Sequence, residues 1–118
     1  MEIGKTIWFK SRKDFRKWLQ KNNNRKEYLW LGFYKRHIKK TGILYPEAVE
    51  EALCFGWIDG ILKRIDDQKH VIRFSPRRPK SVWSPHNINR VKKLIKQKKM
   101  RKASRQIIPQ PILKKLEK

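Results

Sequence analysis

The residue types best suited to chemistry lie in one run, Arg73-Phe74-Ser75-Pro76-Arg77-Arg78-Pro79-Lys80-Ser81-Val82-Trp83-Ser84. It sets four cations and three hydroxyls in a segment stiffened by proline. A guanidinium is planar and offers paired donors that match phosphate or carboxylate. Ser84-Pro85 reads as a helix start, whose unpaired N–H groups would strengthen an anion site. With Trp57 and Trp83 as apolar walls, the candidate ligand set is Trp57, Asp59, Arg73, Arg77, Arg78, Ser81, Trp83, Ser84 and Asn87. The competing reading is structural. In it Arg73 and Arg77 pair with Asp59, Asp66 or Asp67 to hold a hairpin, and Ser81 and Ser84 only cap.

A second run, Ala52 to Gly60, carries one thiol, Cys54, and one carboxylate, Asp59. A nucleophilic cysteine needs a base beside it. His37, His70 and His86 are scattered, so Cys54 reads as a core residue on a helix's inner face. Asp59-Gly60 is compatible with a turn. Asp59 is nevertheless the best candidate for a buried, functional carboxylate, because apolar residues flank it. No metal-ligand spacing, glycine-rich phosphate loop or serine elbow is visible, so neither metal nor cofactor is implied.

The third feature is charge. From Arg90 onward there are twelve Lys or Arg and one acid, Glu117. Lys92, Lys93, Lys96, Lys98, Lys99, Arg101 and Lys102 could track a nucleic-acid backbone. No aromatic is interleaved among them, and no helix-turn-helix or zinc-finger pattern appears. The alternative is a solvated surface that reflects biased composition.

These residues need elements to hold them. Thr6 to Phe9 reads as a short strand. Ser11 caps a helix, with Asp14 three residues on and Phe15, Trp18 and Leu19 at helical spacing. It should stop near Lys21 to Asn24, where three consecutive Asn favour turns. Tyr28 to Arg36 is apolar on both alternating faces, so a central strand covered on both sides is expected. Lys39 to Gly42 is a turn. Tyr45 to Phe55 reads as a second helix: Pro46 in its first turn, Ala48, Val49, Ala52 and Leu53 inward, Glu47, Glu50 and Glu51 toward its start and outer face, and Gly56 as its stop. Ile61–Ile65 and Val71–Phe74 read as a hairpin. Ser84 caps a third helix with Ile88, Val91, Leu94 and Ile95 inward and Lys92, Lys96 and Lys99 outward. The expected fold class is α+β, a small antiparallel sheet packed with about three helices in a single domain spanning 1–118. Its basic tail from about residue 101 is broken by Pro109 and Pro111.

Composition agrees with this scale. The chain has 118 residues, 38% of them hydrophobic, with five Trp and five Phe to build a core. One cysteine excludes a disulfide-built scaffold. No leader-length apolar run opens the chain, and no window nears the ~20 apolar residues of a membrane span, so a cytoplasmic protein is expected. Lys and Arg number 32 against 10 acids, a net charge of +22. Such a field favours polyanions.

Leu29-Trp30-Leu31 with Tyr34-Lys35, then Tyr45 to Gly60, then Arg73 to Ser84 with Asn87, resemble the bacteriocin-protection (YdeI/OmpD-associated) family over about Phe9 to Met100. The resemblance implies a small cytoplasmic α+β protein linked to tolerance of bacteriocins or antimicrobial peptides, without an established reaction. The family's shared positions fall on Trp57, Asp59, Arg73, Pro76, Arg77, Arg78, Ser81, Trp83, Ser84 and Asn87, none with a catalytic role. Relatives continue after the position of Met100 with a Gly/Ala-containing helix. Here Arg101-Lys102-Ala103-Ser104-Arg105 and a proline-broken tail stand instead. Three functions compete: a module binding a small anion or acidic peptide, a nucleic-acid-associated basic protein, and, least supported, an enzyme using Asp59 as acid or base.

Overall fold

In the computed structural model, residues 2–35, 42–78, 83–105, 108–109, 111–112 and 114 are described, with only the backbone of Lys102 and Ala103. The expected turn at Lys39–Gly42 lies mostly outside these residues, as do Ser81 and the end of the second expected strand.

Local signals place the helices. The side chain of Ser11, in extended backbone, accepts a hydrogen bond from Asp14 N and starts α1 (Arg12–Asn22). Ser84 does the same with Asn87 N at the start of α3 (Pro85–Lys96). Helix α2 (Tyr45–Cys54) has no side-chain cap at Leu44, and Glu47 compensates by accepting the Leu44 N–H at 3.0 Å. Gly56 ends it at φ 74, a left-handed conformation that glycine adopts without strain. A four-residue helical turn, α4 (Lys102–Arg105), follows.

The four strands, β1 (Thr6–Ile7), β2 (Leu29–Tyr34), β3 (Trp57–Arg64) and β4 (Lys69–Pro76), form one sheet in the order β1-β2-β4-β3. The expected antiparallel sheet is the β2-β4-β3 part, and β1 adds a parallel edge beside β2. Asp59-Gly60 is not a turn: both residues lie within β3, which starts at Trp57. The register slips between Asp59 and Leu62, where Gly60 brings the backbone close to β4. A Cβ on Gly60 would stand 3.0 Å from the Arg73 carbonyl.

The helices' apolar residues share one buried cluster with one face of the sheet. Phe15, Leu19, Ala48, Val49, Leu53, Val91 and Leu94 meet Leu29, Leu31, Phe33, Trp57, Ile72 and Phe74. Ile108 is buried in the same cluster. Strand β2 is covered on both faces, as its apolar pattern requires, but by different means. On the side away from this cluster, the Trp8 indole lies against Gly32, where an added Cβ would come within 2.5 Å of the ring. Gly4 backs Trp30 less closely, where an added Cβ would stand 3.3 Å from the ring. The segment before α1 therefore supplies the second cover.

Candidate functional site

Three of the expected site residues meet where β3 and the starts of α2 and α3 approach each other. The Tyr45 hydroxyl donates to Asp59 Oδ2 at 2.6 Å. The buried Arg77 guanidinium stacks on the Trp83 ring, 3.8 Å from its centre. Burial holds Arg77 below its ordinary value, and the Asp59 charge pulls the other way. Ser84 and Asn87 join through the α3 cap, and Arg90 Nη1 donates to Asn87 Oδ1 at 3.0 Å. Burial and the bond to Asp59 push the Tyr45 phenol up to about 12, against a lowering by Arg90. The group therefore stays a protonated donor at neutral pH. Sequence reasoning missed Tyr45 and Arg90. The signal for Tyr45 was its place at the head of the Tyr45-to-Gly60 block.

The other expected members lie elsewhere. Trp57 is core, 1% exposed, and its indole N–H donates to the Asn23 carbonyl at 3.3 Å. Arg73 pairs with Trp30 across the sheet and lies over the Tyr28 ring at 4.6 Å, on the opposite face from Phe74 and Asp59. Arg78 is exposed. In the hairpin loop, Asp67 pairs with Arg64 and Asp66 with Lys69, and Asp66 also accepts the Gln68 and Lys69 N–H groups. The loop's acids are thus held by its own cations.

A second polar centre was not foreseen. Glu50 and Glu51 were expected on the outer face of α2, yet they are 9% and 3% exposed. Glu51 accepts from Arg12 Nε at 2.7 Å and from Arg16 Nη1 at 2.9 Å. Glu50 accepts from Arg12 Nη2 at 2.9 Å and Lys93 Nζ at 3.0 Å. These pairs tie α1 and α3 to α2. Burial alone would raise the Glu50 carboxyl, but the bonds from Lys93 and Arg12 outweigh it and hold it below its ordinary range. Beside this centre, Arg16 and Arg101 both lie over the Phe55 ring, at 5.2 and 5.0 Å. Cys54 is fully buried and burial pushes its thiol up, opposed by a bond from Arg16, which suits a core cysteine.

Around the ion pairs the surface is basic. A groove of about 330 Å³ is lined by Arg12, Lys13, Arg16, Glu51, Lys98 and Lys99. Another of about 330 Å³ runs along α3 past Asn89, Lys92, Lys93, Lys96 and Gln97. The Lys93–Glu50–Arg12 bridge links a lining residue of one to a lining residue of the other. Lys92, Lys96, Lys98 and Lys99 are exposed. Lys98 has φ 58, while Lys98 N and Lys99 N bond to Ile95 O and Leu94 O. This is the left-handed helix ending that glycine usually occupies. Arg101 is drawn off to Phe55, and the side chain of Lys102 lies outside the described residues.

Among the described residues no helix is long and apolar enough to cross a membrane. No curated protein and no solved structure was found to match the chain. A family model does match, over residues 7–107, and the chain belongs to that family, the Domain of unknown function (DUF8412).

Proposed function

We propose that this protein binds nucleic acid through the phosphate backbone, on the face where α1 meets the end of α3. The observation that carries this reading is the pair of grooves lined by Lys13, Lys92, Lys96, Lys98 and Lys99. Glu50 and Glu51, the acids beneath this face, are engaged with Arg12, Arg16 and Lys93. A lysine at φ 58 adds support, since a side chain there is strained where glycine would not be. Backbone binding of this kind releases counterions, so affinity for duplex should fall with a log–log salt slope of about −0.9 per phosphate neutralised. Replacing Lys92, Lys96, Lys98 and Lys99 together by Ala should weaken binding and flatten that slope by roughly one unit for each phosphate no longer neutralised. An unchanged slope in the fourfold variant would move the binding surface elsewhere.

A second reading places a small anion or an acidic peptide against Arg77, Trp83, Ser84 and Asn87. The Arg77–Trp83 stack beside the first turn of α3 favours it. Tolerance of antimicrobial peptides, implied by the resemblance to the bacteriocin-protection family, and a cytoplasmic site of action would attach to this reading. Its test is thermal melting in phosphate or sulfate: the parent should gain stability and Arg77→Ala should not. No anion-dependent gain in the parent would remove it.

A further inference from the structure

The sheet face turned away from the main helix-packed cluster carries a feature that neither reading uses. Tyr28, Trp30, Gly32 and Tyr34 alternate on that side of β2, with Arg73 opposite Trp30 and Lys69 opposite Tyr34 on β4. Trp30 is buried, but Tyr28 is 47% exposed and Trp8, lying on Gly32, is 37% exposed. Each exposed ring has a cation over it: Arg73 at 4.6 Å from the Tyr28 centre and Lys69 at 6.0 Å from the Trp8 ring. Next to Tyr28 a groove of about 450 Å³ is bordered by Lys5, Arg25 and Lys26, and by one acid, Glu27.

We propose that this face binds single-stranded nucleic acid, with a base stacking on Tyr28 as Arg73 moves from the ring to a phosphate, and with neighbouring phosphates held by Lys5, Arg25 and Lys26. Every base has a flat apolar face, so exposed aromatics flanked by cations fit a single strand. A duplex hides those faces. The cations lie on the same face or along its rim, and the net charge of +22 favours a polyanion over an uncharged partner. This inference takes from the reading above only the class of polymer. It uses different residues on a different surface.

The test is fluorescence anisotropy of labelled oligothymidylate and oligouridylate with the full chain, beside a duplex and inorganic polyphosphate. The two oligomers separate DNA from RNA use of the same surface. Tyr28→Ala should weaken binding of at least one oligomer by about five- to a hundredfold, the loss expected for one stacked base. Tyr28→Phe should restore it, and duplex binding should not change. Arg73→Ala should also weaken the single strand. The fourfold lysine variant should do the reverse, losing duplex and largely keeping the oligomer, so that either surface can fail alone. Equal oligomer affinity for Tyr28→Ala and the parent would overturn the proposal. So would parent binding that is no tighter for the oligomers than for polyphosphate of matched charge.

Discussion

In the second half of α2, Glu50 and Glu51 are enclosed by Arg12, Arg16 and Lys93; at its start, Tyr45 gives a hydrogen bond to a half-buried Asp59. Both regions set acids among the cations of a strongly basic protein. In the first the carboxylates are buried and each Glu51 oxygen is engaged by a guanidinium, so it works as a fastener between helices. The second leaves Tyr45 38% exposed, with the Arg77–Trp83 stack and the Arg90–Asn87 bond beside it. Saturated charge serves the fold. Charge left near solvent remains usable by a ligand.

This contrast has measurable consequences. The largest concerns Glu51→Ala, which leaves Arg16 without its carboxylate and Arg12 with Glu50 alone. Breaking a fully buried pair costs about 3–5 kcal/mol; the partial exposure of Arg12 and Arg16 lowers the expectation to about 2–4 kcal/mol in urea unfolding. A loss below about 0.5 kcal/mol, like that of an ordinary surface change, would reduce the fastener to a surface ornament. Asp59→Asn should cost about 1 kcal/mol, the difference between a charged and a neutral hydrogen-bond acceptor. Ultraviolet titration should also show the Tyr45 phenol falling from about 12 in this variant. A phenol that does not move would separate Tyr45 from Asp59.

Lys98→Gly tests the rim of the first centre. Relief of the left-handed strain should stabilise the protein by about 0.5–1 kcal/mol, while duplex binding weakens. Stability and binding moving together would contradict a lysine kept there for its charge. The smallest effects are with pH, and the two regions of α2 should appear on opposite limbs. The Glu50 carboxyl is lowered in the fold, so its contribution is present above its ordinary value of 4.5 and is lost as pH falls below it. The Tyr45 phenol is raised, so its contribution is full below pH 10.0 and is lost between there and about 12. Stability curves of Lys93→Ala and Asp59→Asn should flatten the acid and alkaline limbs respectively.

Much of the scaffold was legible because its signals are local. Ser11, Ser84-Pro85 and Gly56 mark helix ends through bonds to residues no more than four positions away, and the unbroken apolar run of β2 announces a two-sided strand. Where the reading failed, the decisive partner was distant. Glu50 and Glu51 look like solvated helix charges because Arg12, Arg16 and Lys93 stand 35 to 43 residues away. Asp59-Gly60 looks like a turn because a bulge also needs glycine, and only the β4 register distinguishes the two. For the candidate site, the sequence placed Asp59, Arg77 and Trp83 near one another. Alternation alone would put Arg73 and Arg77, four residues apart, on one face. It could not show that β4 ends at Pro76, so that Arg77 leaves the strand and meets Trp83 while Arg73 stays on the opposite face from Asp59. Nor did it identify Trp8, whose part depends on the empty space above Gly32.

Ile108 bears on how the chain reaches this state. It is buried in the cluster that also holds Phe15 and Leu19 of the first helix, so the core draws on segments separated by most of the described sequence. The β3–β4 hairpin, by contrast, pairs residues across a short loop. Loop-closure entropy favours the nearby pairing first and makes the distant one slow to nucleate. The hairpin should then be structured in the folding transition state, and the packing of Ile108 should form after it. Packing that forms late governs mainly how fast the native protein opens. The residues that seal this core would therefore set its lifetime against unfolding more than its speed of folding.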